Sequence, residues 1–90
     1  MQHTRGHLYF VRKQRRMSQK HVAHLIGHHD ATMLSKYERG SLAPPLRTAL
    51  KLTLLYRLPI QELFAADFLQ AREELTKKVK TLRTTQPVLF

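Results

Sequence analysis

The chain has 90 residues, which is enough for one small domain and leaves no room for a second, catalytic one. Its sixteen lysines and arginines outnumber six acids, and the formal net charge of +10 attracts polyanions, above all nucleic acid. Cysteine is absent, so disulfides and cysteine-bound zinc are excluded. With no cysteine nucleophile, Gly-rich phosphate loop or paired-carboxylate cluster, we expect neither an enzyme nor a cofactor.

No signal peptide or membrane span is visible in the sequence. The apolar run between residues 52 and 60 is short and is interrupted by Tyr56, Arg57 and Pro59. We therefore expect a cytoplasmic, nucleoid-associated protein with no membrane partner.

The first predicted elements are an arm and a helix. Residues 1–7 lack hydrophobic periodicity and are predicted to form a flexible arm. Leu8 to Arg16 is predicted to be the first helix, with Leu8 and Val11 facing the core and its basic side chains largely outward.

Ser18 to Gly40 contains two short helical patterns that a glycine separates. Ser18 can cap the first pattern, and Gly27 can take the left-handed backbone that ends it. Its apolar residues recur at helical spacing: Val22, Ala23 and Ile26. Asp30 can cap the second pattern, whose buried side is predicted to carry Leu34 and Tyr37. Two short helices joined by a tight turn predict a DNA-binding helix-turn-helix.

Two further helices are predicted after this motif. The chain should be extended up to Pro45, which can start a helix over Leu46 to Tyr56. Leucines occupy most sides of this helix, which predicts the most buried element of the bundle. Pro59 ends it, and a short fifth helix closes the core with Ile60, Leu63 and Phe64.

Residues 66–84 are predicted to form a sixth, amphipathic helix, which we label α6. Apolar residues recur three or four apart along it, and we call this set the α6 seam: Phe68, Ala71, Leu75, Val79 and Leu82. The spacing leaves two arrangements open, a sixth core helix or a pair with the same helix of a second copy. Residues 85–90 form a tail whose Val88, Leu89 and Phe90 either dock on a neighbouring subunit or are disordered.

The stretch from Ser18 to Gly40 resembles the helix-turn-helix of the Cro and phage-repressor family, also called Xre-like regulators, and the resemblance extends to both sides. The matching positions are Leu8, Val11 and Arg12, then Ser18-Gln19, Ala23 and Gly27, then the run Leu34-Ser35-Lys36-Tyr37-Glu38-Arg39-Gly40, Pro44 and Leu46, and Leu58-Pro59-Ile60 with Leu63-Phe64. The resemblance implies an all-α fold, in which residues 8–65 form a compact, lambda-repressor-like DNA-binding bundle of five short helices.

The sequence departs from the family pattern at two places. One residue more than usual lies between Gly27 and Leu34, which predicts a longer turn before the second helix of the motif. Arg57 stands where a helix-ending glycine is common in the family.

In this family the second helix of the motif, the recognition helix, lies in the major groove of DNA, and the resemblance implies the same here. Base contacts are then expected from four residues: Ala31, Thr32, Ser35 and Lys36. Phosphate contacts are expected from Gln19 and from four basic residues: Arg12, Lys20, Arg39 and Arg47. Met33 either packs inward or reads a base.

The resemblance also implies a structural ion pair. Arg12 in the first helix would pair with Glu38 late in the recognition helix and buttress the two helices. The alternative is two separately solvated charges.

Three histidines, His21, His24 and His28, share one potential helical face, and two of them at such spacing can bind a transition metal. No cysteine or carboxylate accompanies them, so we predict no metal site.

Together these patterns predict a sequence-specific, double-stranded-DNA-binding transcriptional regulator that acts as a compact repressor. The family's habit of binding as dimers implies a homodimer on a two-fold symmetric operator, formed through Phe68, Leu75, Val79 and Leu82. The chief alternative is an antitoxin-like interaction module, which binds a partner protein through its C-terminal helix and regulates its own promoter. A nonspecific nucleoid or RNA-binding role is the third hypothesis.

Overall fold

A computed structural model of the protein describes residues 7–83, and within that range it shows helices and no strand. The helices are α1 (His7–Gln14), α2 (Gln19–Leu25), α3 (Thr32–Arg39), α4 (Leu46–Tyr56), α5 (Ile60–Leu63) and α6 (Ala65–Arg83). The predicted all-α fold is confirmed. His7, predicted as the last residue of the arm, is instead the first residue of α1, and residues 1–6 and the predicted tail lie outside the described residues.

Local capping explains where the helices of the motif begin and end. Ser18 Oγ accepts a hydrogen bond from the backbone N–H of His21 at 3.0 Å, which starts α2. Gly27 follows α2 with a φ of +90°, and Gly40 closes α3 with a φ of +77°. Both angles lie in the left-handed region that favours glycine. The recognition helix, α3, begins at Thr32, so the extra residue is accommodated in a turn that covers residues 26–31.

Helices α1 to α5 close around one hydrophobic core. Its largest apolar side chains that are at most 1% exposed come from four of these helices: Val22, Leu34, Leu52, Tyr56 and Leu63. Both α1 and α2 pack against α3, so the recognition helix is held from two sides. Removing these side chains from water is the main favourable term for folding.

The prediction that α4 is the most buried helix is wrong. Leu46, Leu50 and Leu54 are 69%, 47% and 77% exposed. They recur every fourth residue and therefore form a ridge on the outer side of the helix. The residues of α4 that face the core are Ala49, Leu52 and Tyr56. A helix at the edge of a small bundle has the core on one side only, and composition does not reveal which of its leucines point there.

Two arginines adopt the left-handed backbone, at a cost of roughly 1–2 kcal/mol each for a residue with a Cβ. Arg16 does so with φ +58° in the turn after α1, which ends at Gln14, two residues before its predicted end. Arg57 does so with φ +56° at the end of α4, where the family commonly has glycine. Arg15 links these two turns. Its Nη2 donates a hydrogen bond to the carbonyl of Tyr56, the residue before Arg57, at 2.5 Å.

Helix α6 follows α5 after the single residue Phe64 and leaves the bundle. It packs against α5, but its large apolar residues stay at the surface: Phe68, Leu75 and Leu82 are 42%, 52% and 47% exposed. The structure measures 51 Å along its longest axis. Of the two arrangements that the periodicity left open, the sixth core helix is therefore wrong.

Candidate nucleic-acid interface

Helix α3 presents one face to the core and the opposite face to solvent. Its buried residues are Leu34, Tyr37 and Glu38. A helix turns about 100° per residue, so Thr32, Lys36 and Arg39 lie on the opposite side. All three are exposed. This outer face is thus polar and basic, as a major-groove surface requires.

The four residues predicted to contact bases are not equally placed. Thr32 and Lys36 lie on the outer face, whereas Ala31 and Ser35 are half-buried along one edge of it. Met33 lies along the other edge and is 37% exposed. A ligand that approached this face would therefore meet Thr32 and Lys36 first and the other three residues at its margins.

Arg39 lies back along α3 toward its N-terminus. Its Nη1 donates a hydrogen bond to Ser35 Oγ at 2.6 Å, one turn earlier in the helix. The guanidinium is consequently held on the outer face, close to the residues predicted to read bases. This contact was not predicted from the sequence, although a serine and an arginine at i, i+4 spacing indicate that such a contact can form on a helix.

The start of α3 is held by Asp30. Its Oδ1 accepts a hydrogen bond from the backbone N–H of Thr32 at 3.0 Å. This backbone hydrogen bond, together with one from the Thr32 side chain, lowers the pKa of the Asp30 carboxyl. The charged carboxylate therefore fixes the turn from which the recognition helix emerges.

A buried polar cluster joins α1, the start of α2 and the end of α3. Arg12 Nε donates to Glu38 Oε2 at 2.6 Å, and Arg12 Nη2 donates to Glu38 Oε1 at 3.1 Å. Gln19 Nε2 donates to the same Oε1 at 2.9 Å, and Arg12 Nη1 donates to the Met17 carbonyl at 2.9 Å. We call this cluster, formed by Arg12, Gln19 and Glu38, the buried polar node.

The ion pair of the node is removed from water, so its charges are stabilised by each other and by the hydrogen bonds that Gln19 donates and the Met17 carbonyl accepts. The Glu38 side chain is fully buried and that of Arg12 is 8% exposed. The hydrogen bonds to Glu38 raise the pKa of Arg12, against the opposing effect of burial. Bidentate pairing of this kind fixes geometry as well as charge. Arg12 and Glu38, which were expected to form a buttress, thus form a buried ion pair. The predicted phosphate contacts of Arg12 and Gln19 would use N–H groups that donate no hydrogen bond within the node.

The other predicted phosphate contacts lie on exposed surface. Lys20 is in the first turn of α2 and Arg47 in the first turn of α4. Lys13 and Arg16 line a shallow polar groove with Ser18 and Gln19, where α1 meets α2. Sequence analysis did not single out these two cations as phosphate ligands, because their position beside the start of α2 depends on how the two helices pack.

Three histidines of α2 and the turn after it differ in their surroundings. His28 is half-buried and its Nε2 lies 3.5 Å from Tyr37 Oη, whereas His21 and His24 are exposed. Within residues 7–83, no three histidine, cysteine, aspartate or glutamate side chains are grouped closely enough to hold a metal ion. None of the helices in the same range is both long and apolar enough to cross a membrane.

Comparison with known proteins agrees with this geometry. A family model described as helix-turn-helix matches residues 8–63. The transcriptional repressor RstR of the cryptic phage CTXphi, from Vibrio cholerae, is 34% identical over 74 residues, which cover 82% of this chain and 66% of the repressor. The chain thus spans just under two thirds of that relative's length. No solved structure matches the chain.

Proposed function

The chain belongs to the helix-turn-helix family of DNA-binding regulators of the Cro and phage-repressor type, and from that premise we propose that it represses transcription by occupying a specific operator as a homodimer. The observation that carries the proposal is the outer face of α3, where Thr32, Lys36 and Arg39 are exposed together. The hydrogen bond from the Thr32 N–H to Asp30 and the buried polar node hold this face in one orientation.

Base recognition would use α3 in the major groove. The Lys36 ammonium donates hydrogen bonds to guanine O6 and N7, and the Thr32 hydroxyl pairs with either a donor or an acceptor. Ala31 offers a methyl contact to thymine, and Ser35 donates its hydroxyl proton while its oxygen accepts from Arg39. Met33, exposed along the other edge, adds an apolar contact to a thymine methyl group.

Phosphate contacts would set the register of α3 on the duplex without reading sequence. Lys20 and Arg47, exposed at the starts of α2 and α4, would bind phosphates of the DNA backbone, and Arg39, exposed on the outer face of α3, would bind a further phosphate. Each neutralised phosphate releases counterions, so affinity should fall steeply as salt rises.

The test is in vitro selection of random duplex DNA by the purified protein at moderate salt, which suppresses counterion-driven binding. We expect an enriched inverted repeat whose half-sites lie about one helical turn apart. A variant with Thr32→Ala and Lys36→Ala serves as the control and should enrich no such repeat while remaining folded. If the wild-type protein enriches no sequence, the proposed function is wrong and a nonspecific role takes its place.

The homodimer rests on the exposed α6 seam. Leu75→Lys places a charge at its centre and should abolish dimerisation, as measured by light scattering. Leu69→Lys is a matched control, because Leu69 is 50% exposed on the same helix and lies about 120° away from Leu75 around its axis. A Leu75→Lys variant that is still dimeric would show that α6 is not the interface.

The second candidate function is the antitoxin-like module, and the same exposed seam is the observation that favours it. In that case α6 would bind a different protein, and DNA binding would be autoregulatory. Wild-type chains that are monomeric alone, and that form a stoichiometric complex with the product of a neighbouring gene, would favour this candidate over the homodimer.

A further inference from the structure

We propose that α6 pairs in antiparallel orientation with α6 of a second copy, with the two helices crossing near Leu75. We further propose that the C-terminal end of each α6 covers an apolar groove on the other copy. This inference rests on the homodimer of the proposed function and adds to it an orientation and a second contact surface.

The position of the α6 seam supports an antiparallel pair. Its five residues fall within about 80° of the helix circumference, at about 100° per residue. They include the exposed Phe68, Leu75 and Leu82, and Val79 is half-buried. Phe68 and Leu82 are each seven residues from Leu75, so two seams that cross at Leu75 in antiparallel orientation place Phe68 of one copy opposite Leu82 of the other.

An apolar groove at the start of α6 also supports the antiparallel orientation. It has a volume of about 390 Å³ and is lined by residues of α4, α5 and α6, among them Leu46, Ala49, Ile60, Phe64 and Phe68. Because Phe68 belongs to both the groove and the seam, the two surfaces are continuous. An antiparallel partner helix ends at Phe68 and therefore delivers its C-terminal turn to this groove. A parallel partner would leave the groove open, since its C-terminal turn lies at the far end of α6.

The charges along one edge of the seam distinguish the antiparallel from the parallel orientation. Glu74 and Lys78 are one turn apart and flank Leu75 on the same side, about 100° and 60° away from it. In an antiparallel helix pair the same edge of each helix meets its counterpart. Glu74 then lies beside Lys78 of the second copy, and the two-fold axis makes this ion pair twice. In a parallel pair this edge would meet the opposite edge, where Glu74 would pair with Arg72 and Lys78 would lie beside Thr76, so the two orientations use different charged residues.

Electrostatic repulsion between the DNA-binding bundles disfavours the parallel orientation. Residues 7–64 contain ten lysines and arginines and three acids, so each bundle is strongly positive. Parallel helices would place two such bundles side by side, because α6 begins one residue after α5. Antiparallel helices place them at opposite ends of a pair about 28 Å long, well beyond the Debye length of about 8 Å. That separation is also close to the roughly 34 Å between operator half-sites one turn apart.

Charge reversal tests the orientation directly. We expect Glu74→Lys and Lys78→Glu each to weaken the homodimer roughly 2- to 30-fold at low salt, the range for losing two exposed ion pairs. The double variant that exchanges the two charges should recover the affinity. When mixed, it should form fewer heterodimers with the wild type than random exchange produces, as counted by native mass spectrometry. Exchange of Glu73 and Lys77, which lie on the side of α6 away from the seam, is the matched control and should change nothing.

The groove is tested on α4. Leu46→Lys should weaken the dimer about tenfold or more, whereas Leu54→Lys, the same change on the same helix outside the groove, should not. Both leucines are exposed, so both variants should fold as judged by circular dichroism.

Three outcomes would overturn the antiparallel pair: a charge-exchanged variant that dimerises freely with the wild type, a Leu46→Lys variant as dimeric as the Leu54→Lys control, or a wild-type chain that is monomeric at every concentration. Failure of the DNA selection would instead overturn the proposed function and leave these measurements of self-association untouched. The two failures are therefore distinguishable.

Discussion

The bundle α1–α5 encloses part of its apolar residues in a core, whereas the apolar seam of α6 stays at the surface. In the bundle, Leu34, Leu52 and Leu63 are at most 1% exposed, and even the Arg12–Glu38 ion pair is enclosed. In α6, three large apolar residues of the seam are between 42% and 52% exposed. The same amphipathic periodicity thus builds a closed interior in one region and an open surface in the other. What differs is how far the other helices of the chain cover the apolar face.

The largest expected effect comes from breaking the closed interior at its polar node. Glu38→Ala leaves the Arg12 guanidinium buried and unpaired, and we expect it to lower the free energy of unfolding by about 3–5 kcal/mol in urea denaturation. The double variant Arg12→Met with Glu38→Leu removes both charges and should be much less destabilised than Glu38→Ala. Equal losses in the two variants would show that the buttress acts through packing and not through charge.

A matched pair of leucines on α4 measures the contrast between interior and surface within one helix. Leu52 is 0% exposed and Leu54 is 77% exposed. Leu52→Ala should cost about 2–5 kcal/mol of stability, because a cavity remains, whereas Leu54→Ala should stay within about 0.5 kcal/mol of wild type. Thermal denaturation of the two variants decides the matter, and similar losses would contradict the orientation of α4 described above.

On the outer face of α3, the effect should appear in binding and not in folding. Lys36→Ala should cost about 1–3 kcal/mol at the selected operator and relax the preference at one base position. Lys20→Ala, a predicted phosphate contact, should instead weaken binding to all sequences equally and reduce the salt slope by about one. Titrations with the operator and with its single-base variants separate the two patterns. Uniform weakening by Lys36→Ala would show that Lys36 contacts only phosphate.

The smallest effect concerns a hydroxyl inside the bundle. Tyr56 Oη is buried and has no hydrogen-bond partner among the described residues. Tyr56→Phe removes an unsatisfied polar group and should raise the free energy of unfolding by up to about 1 kcal/mol. Tyr37→Phe is the control, because Tyr37 Oη lies 3.5 Å from His28 Nε2. A destabilised Tyr56→Phe variant would show that the hydroxyl is satisfied in solution.

The same hydroxyl predicts an alkaline limit of stability. Burial raises the pKa of Tyr56 from its ordinary value of 10 to about 12. Since the folded state holds the proton more tightly than the unfolded state, the stabilisation is fully present below pH 10 and is lost as the pH rises through 12. Tyr56→Phe should lack this component in urea denaturation across that range, while the wild type loses stability.

Features that depend on neighbouring residues in the chain were predictable. The serine cap of α2, the glycine that follows it and the proline before α5 each act within one turn of backbone, so Ser18, Gly27 and Pro59 mark the elements correctly. Two features that depend on contacts between helices were not predicted. They are the hydrogen bond from Arg15 to the Tyr56 carbonyl and the position of Lys13 and Arg16 beside the start of α2. These depend on which helices meet, and periodicity carries no information about that.

The sequence by itself determined that this chain is helical and basic, because caps, periodicity and charge are properties of short segments, and the residues of its motif resemble those of a DNA-binding helix-turn-helix family. Only the tertiary structure decided which leucines of α4 face solvent and that the large apolar residues of the α6 seam stay at the surface. It also placed Arg12 inside, bonded to Glu38 and Gln19. The physical reason is that burial is a relation between segments: an apolar or charged side chain is inside only where the rest of the fold brings another surface against it.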